Sequence, residues 1–231
     1  MRDIFRDRSE AGRLLAGELI QYANQPDVIV LGLPRGGVPV AFEVAMALRA
    51  PLDVFVVRKL GTPGHRELAM GAIASGRVRV LNEEVIHGLG IPMEIIDAVT
   101  AEEEQELKRR ELAYRSSYSE PEVRGKTVLL IDDGIATGST IRAAIRALNA
   151  QHPARLIVAV PTAAASTCRD LRPEVDGLVA LMTPEFFSGV GQWYADFRQT
   201  SDAEVTELLR RARENLASTE SDSACDERAG G

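Results

Sequence analysis

The stretch VLLIDDGIATGST, residues Val128 to Thr140, decides how the chain is read. Four apolar residues run into two adjacent aspartates, Asp132 and Asp133, and then into a loop of small and hydroxyl-bearing residues. The apolar run reads as a buried strand, and STIRAAIRALNA, from Ser139 onward, as the helix behind it. Gly134 and Gly138 let the backbone bend tightly between them. Thr137, Ser139 and Thr140 supply hydroxyls, and the free N–H groups of the new helix point into the loop. Such a loop is a phosphate cradle. It has no Walker A lysine, so it is not a triphosphate P-loop. Two carboxylates repel a phosphate and must face something neutral or cationic. Ribose hydroxyls, with Mg²⁺ nearby, meet both demands. A sugar phosphate therefore suits the stretch, its phosphate in the loop and its hydroxyls on the carboxylates.

Outward from this stretch, strands and helices alternate. AGRLLAGELIQYA has helical periodicity, with Leu14, Leu15, Leu19 and Ile20 on one side. DVIVLGL reads as a buried strand ending in the glycine-rich turn LPRGGVP, with VAFEVAMAL as the next helix. LDVFVV is a second strand, and GAIASGRVRVL a short hairpin. Residues 93 to 117 form a long, highly charged helix with i,i+4 pairs such as Glu104–Lys108 and Glu106–Arg110. It reads as a solvated arm over the site or a dimer contact. RLIVAVP and GLVALM are strands around a helix near AASTCRDL, and a last helix covers about Asp202 to Leu216. The tail, 217–231, lacks apolar content and reads as disordered. The pattern predicts one α/β domain over 1–216 with a mostly parallel central sheet flanked by helices. Ligands of such sheets bind beyond the carboxyl ends of the strands, where the turns Gly32–Gly37 and Asp132–Thr140 both fall.

VLLIDDGIATGST resembles the phosphoribosyl pyrophosphate motif of type I phosphoribosyltransferases: apolar residues, two acids, two variable positions, a small residue (Ala136), then Thr137-Gly138-Ser139-Thr140. VLGLPRGGVPVAFEVA looks like that family's pyrophosphate loop, with Pro34, Arg35, Gly36 and Gly37 as its core. The resemblance implies a non-proline cis peptide between Pro34 and Arg35. Without it, the glycines would read as a connection for close helix–strand packing. A dinucleotide loop fits less well, because the glycines stand at 32, 36 and 37.

The resemblance covers most of residues 1 to 215 and implies a reaction. A nitrogen of a nucleobase or similar heterocycle displaces pyrophosphate from the ribose of phosphoribosyl pyrophosphate, with Mg²⁺ as cofactor. Arg35, Lys59, Asp132 and Asp133 become the expected catalytic group, with Arg58 a further cation. No metal ligand is expected beyond Asp132 and Asp133. Ala136 stands where the hypoxanthine–guanine branch has an acid, so no general base is assigned; Glu67, in the glycine-rich loop GTPGHREL, is a distant candidate. A variable hood is expected from residues 1–12 and 183–200. There Trp193, Tyr194 or Phe187 could stack on a base and Asp196 could accept a hydrogen bond, or these aromatics simply pack together. FRDR, residues 5–8, could complete the cap. A homodimer is usual for the family.

Composition narrows the partners. Net charge is −7, which argues against gripping nucleic acid by bulk electrostatics. No apolar run approaches a membrane span and the first residues do not resemble a signal peptide, so a cytoplasmic protein is expected. Cys168 and Cys225 form no disulfide framework, and His65, His87 and His152 are scattered. Two other functions remain open: a regulatory module that binds phosphoribosyl pyrophosphate or a nucleotide without catalysis, and a synthetase-like fold, whose chains are longer and tandem.

Overall fold

The structure, a computed structural model, describes residues 4–115 and 122–229, without the side chains of 65–67 and 219–229. The readings of His65, Glu67 and Cys225 as side chains lie outside the described residues, as do positions 1–3 of the expected hood.

Five strands form the central sheet: β1 (Val28–Gly32), β2 (Leu52–Val54), β6 (Thr127–Ile131), β7 (Arg155–Thr162) and β8 (Gly177–Met182). Three more, β3 (Val57–Thr62), β4 (His65–Ala74) and β5 (Val78–Leu81), form a separate antiparallel sheet. The central order is β2-β1-β6-β7-β8, all parallel. The chain order reverses between β1 and β6. That switch point opens a crevice at the carboxyl ends of both strands.

Helices cover both faces of the central sheet, so its middle strands are mostly apolar. Val30, Leu129 and Ile131 enter one core, with residues of α1 (Arg8–Glu18), α2 (Gly37–Leu48) and α7 (Asp202–Ala229). Ile29, Leu31, Val128 and Leu130 enter the other, with residues of α5 (Ser139–Asn149) and α6 (Ala165–Leu171). The period-two alternation of β1 and β6 thus divides their residues between the two cores.

Several expectations are corrected. LDVFVV is not one strand: Phe55 N–H donates to the Gly32 carbonyl (3.0 Å), while the Val56 carbonyl accepts from Ser75 N–H (2.9 Å). The chain leaves one sheet and joins the other within two residues. The glycine-rich segment after it, read as a loop, is the β3–β4 hairpin, turning at Gly64 with φ +80°. The hairpin expected over 71–81 is present as the β4–β5 pairing. A short helix that the sequence reading did not separate, α3 (Glu83–Leu89), is capped by the Asn82 side chain and precedes α4 (Met93–Arg115). The last helix does not stop near Leu216; α7 is continuous through the segment read as a disordered tail, to Ala229. Helix formers such as Glu214, Leu216 and Ala217 carry it past that point. Among the described residues, no helix is long and apolar enough to cross a membrane.

The buried stripe of α1 also differs. Leu15 and Leu19 are buried as expected, but Leu14 and Ile20 are 39% and 61% exposed, and Ala11, Gly12 and Ala16 fill the rest of the buried face. The reason is close approach to α2. A Cβ on Gly12 would stand 2.7 Å from the Val40 carbonyl oxygen and 2.8 Å from Glu43 Cβ. Gly12→Ala should therefore force the helices apart and cost about 1–3 kcal/mol. Thermal melts of Gly12→Ala beside Leu14→Ala, an exposed control, check this; equal melting temperatures would refute the close-packing account.

Candidate active site

Two turns meet at the switch point. The first leaves β1 at Leu33 and carries a cis peptide between Pro34 and Arg35. The second leaves β6 at Asp132. They touch through missing side chains. A Cβ on Gly37 would lie 2.7 Å from the Ile131 carbonyl oxygen and 2.9 Å from Asp132 Cα. A Cβ on Gly36 would lie 2.0 Å from Asp133 Oδ2. Gly36 and Gly37 are therefore needed for their small size, and Arg35 is carried at the tip of a turn pressed against both carboxylates. Its guanidinium is about one third exposed and lies 3.9 Å from Asp202 at the start of α7. Asp202 also accepts the Tyr114 hydroxyl hydrogen bond at 2.6 Å, and burial followed by that bond pushes the Tyr114 phenol up to about 12.

The second turn lines a cavity of about 190 Å³ with Asp132, Ala136, Thr137, Gly138, Ser139 and Thr140 along its wall. Gly138 has φ +74° and caps α5 without a side chain, so the helix opens its first-turn N–H groups toward the cavity. The turn is fixed from behind. Thr167 donates to the Ala136 carbonyl (2.7 Å), and Ile135 exchanges backbone hydrogen bonds with Thr162 and Ala164. A lysine reaches this turn from elsewhere: Lys59 on β3 donates from Nζ to Ser139 Oγ at 3.0 Å. Arg58, its neighbour, is turned to Glu103 on α4 and held at 2.6 Å.

Where a hood is expected, residues 193–196 pair with the chain start. Phe5 N–H donates to the Trp193 carbonyl, Ala195 N–H to the Phe5 carbonyl and Asp196 N–H to the Arg6 carbonyl, all within 2.9 Å. Phe5, Tyr194 and Phe197 pack ring on ring. Of the two readings of Tyr194, packing rather than base stacking fits its burial. Its ring is buried and its hydroxyl donates to the Asp133 backbone carbonyl at 2.6 Å, so it braces the carboxylate turn. Burial pushes its phenol above the usual range. Asp196 pairs with Arg198 at 2.8 Å. Trp193 is partly buried and stacks on Phe187 at 6.1 Å, whereas Phe186 is 92% exposed.

One residue belongs to the site that motif reading did not place there. Arg8, the first residue of α1, donates from Nε to Asp133 Oδ2 at 2.9 Å, with Nη2 2.8 Å from the same oxygen. Its local sequence, FRDR, gave only a hint of a cap. The Asp132 carboxyl stands well above the ordinary carboxylate range, because burial disfavours its charge and Asp133 adds repulsion. The Asp133 backbone N–H, 2.9 Å from Asp132 Oδ1, and Arg8 act against that. Burial also raises the Asp133 carboxyl, while Arg8 opposes the rise.

A family model described as a phosphoribosyl transferase domain matches residues 72–191, just over half of the chain. A Mycobacterium tuberculosis protein, provisionally named a phosphoribosyl transferase, is 45% identical over 214 residues. That match takes in 93% of this chain but 48% of the relative, so the chain spans about half the length of the curated relatives it matches. The crystal structure of the protein TT1426 from Thermus thermophilus is 38% identical with a TM-score of 0.82, over 90% of this chain and 98% of that one.

The carboxylate pair has a consequence for stability. A carboxyl whose folded pKa is raised loses stability as pH climbs from its unfolded value, about 3.9 for Asp, through the folded one. Asp132→Asn keeps an acceptor for the Asp133 N–H but sheds the buried charge. It should raise the melting temperature at pH 7, with the gain fading as pH falls toward about 4. Melts of both proteins across that range check the sign.

Proposed function

The chain belongs to the phosphoribosyl transferase domain family, and on that premise we propose that it transfers the 5-phosphoribosyl group of phosphoribosyl pyrophosphate to a nitrogen heterocycle, releasing pyrophosphate. One observation carries this reading: the Arg35–Gly37 turn, the two carboxylates and the Lys59-bearing phosphate cradle meet at one switch point. A site that only held a monophosphate would need the cradle but not the turn.

The residues divide the work by charge. The 5-phosphate sits in the cradle on the hydroxyls of Thr137, Ser139 and Thr140 and the first amides of α5, with Lys59 as its cation. Asp132 and Asp133 accept hydrogen bonds from the ribose hydroxyls and face the side where positive character grows at the anomeric carbon. The fork of Arg35 and the amide of Gly36 take the diphosphate; the Gly37 N–H, also expected there, is instead committed to the Leu33 carbonyl at 3.0 Å. The acceptor is expected beneath the hood, against its aromatic face at Phe186 and Trp193. Ala136 supplies no proton-transfer group, so deprotonation of the base falls to another residue or to solvent.

Mg²⁺ fits this donor set as a partner of the substrate. Among the described residues, no three His, Cys, Asp or Glu side chains gather to hold a metal, and one oxygen of Asp133 is occupied by Arg8. A hard cation would take carboxylate oxygen from Asp132 and Asp133, directly or through water, and complete its shell from the substrate. When bound, it neutralises charge on the departing diphosphate. A homodimer and a cytoplasmic setting belong to the same reading; sedimentation of the purified chain tests the first.

The decisive assay follows pyrophosphate release from phosphoribosyl pyrophosphate and Mg²⁺ with single bases in turn. Release should depend on one base, and Asp133→Asn should lower it on the order of 100-fold. Tight, Asp133-dependent binding without release for any base would replace the transferase with a regulatory binding module.

A further inference from the structure

We propose that Arg8 is a positioning residue that sets Asp133 for the sugar and locks the hood onto the site, an inference that rests on the transferase reading above. Four features carry it. The Arg8 side chain is nearly nine-tenths buried, with 11% of its surface exposed. Its Nε and Nη2 share Asp133 Oδ2, while Nη1 donates to the Arg198 backbone carbonyl at 2.7 Å. Its guanidinium carbon lies 4.0 Å from the centre of the Phe197 ring. A Cβ on Gly36 would also stand 3.3 Å from Nη2, so the guanidinium backs the pyrophosphate turn as well.

The main chain brings Arg8 to this place from two sides. Before it, residues 5 and 6 are hydrogen-bonded to the hood segment at Trp193, Ala195 and Asp196. After it, α1 starts on a strong cap: Asp7 accepts from Glu10 N–H at 2.7 Å, and Glu10 accepts from Arg6 N–H at 2.7 Å. The guanidinium therefore joins the carboxylate turn, the pyrophosphate turn and the hood in one group. Only an arginine does this, because its planar fork can spread donors over two acceptors and still lie flat on a ring.

The chemistry follows from which oxygens are taken. Asp133 Oδ2 is committed to Arg8, and Asp132 Oδ1 accepts the Asp133 N–H. One oxygen of each carboxylate is then left for the ligand, which matches two neighbouring ribose hydroxyls. Arg8 fixes that presentation without itself touching the sugar.

The test measures KM and kcat for phosphoribosyl pyrophosphate in the full chain, with ribose 5-phosphate binding by calorimetry as a second readout. Arg8→Met should raise KM and the ribose 5-phosphate dissociation constant about tenfold or more while kcat moves less than about threefold, the pattern of lost substrate positioning. Arg8→Lys should recover only part, since it keeps the charge but not the fork. In an Asp133→Asn background, Arg8→Met should add little, because both changes break one link. A lowered melting temperature with unchanged KM, or additive effects in the double variant, overturns the proposal. If Arg8→Met does not fold, Arg8→Lys alone decides on the same KM criterion. A wild-type chain that neither turns over phosphoribosyl pyrophosphate nor binds ribose 5-phosphate defeats the parent reading, and this one with it; a wild type that works beside an unaffected Arg8 variant defeats this one alone.

Discussion

Backbone pressed against carboxylate is the contact on which the site depends. Gly36 and Gly37 have no side chains because Asp132, Asp133 and the end of β6 occupy that space. The contact lets two turns from neighbouring strands share one crevice, and it follows from the strand order: only between β1 and β6 does the chain leave adjacent strands in opposite directions. Once the turns are in contact, the Arg35 turn and the first turn of α5 border the same crevice. The sheet supplies the rigidity, with every residue of β1 and β6 buried.

Charge is arranged around that contact in advance of any ligand. Arg8 is paired with Asp133, Lys59 with Ser139, and Arg35 stands within 3.9 Å of Asp202. Each cation therefore has its direction set by the protein, so less ordering is left for binding. The pairs differ in tightness. Arg8 is held at 2.8 Å in a buried setting, whereas Arg35 is loosely paired and more exposed. The tight one organises the site, and the loose one is free to change partner.

Much of this was legible in the sequence, for reasons that can be named. VLLIDD and its loop carry their own geometry, because a buried strand, a tight turn and a helix start are all local events. The same holds for LPRGG. What was hidden depends on distance along the chain. Arg8 reaches Asp133 across 125 residues, and nothing in FRDR specifies that partner. Lys59 was named as a cation, but its place at Ser139 required the β3–β4 hairpin, which the glycine and proline content of GTPG disguised as a loop. For Tyr194 the choice between packing and base stacking stays open in the sequence, because the Phe5 that covers it comes from the other end of the chain. Leu14 and Ile20 failed for a simpler reason: hydrophobicity marked the stripe of α1, whereas close packing selected its small residues.

The long reach of Arg8 also orders events during synthesis. The cradle after β6 is held by partners no later in the chain than Thr167, but the Arg198 carbonyl that completes the guanidinium's partners lies 190 residues after Arg8. Contacts of such separation close late, because their loop entropy is met only when the rest of the chain is in place. The binding crevice is thus assembled before the group that restrains it. A chain stopped short of the hood would carry both aspartates and the cradle with one acceptor of Arg8 missing. Completion of the hood is in this way read out at the site itself.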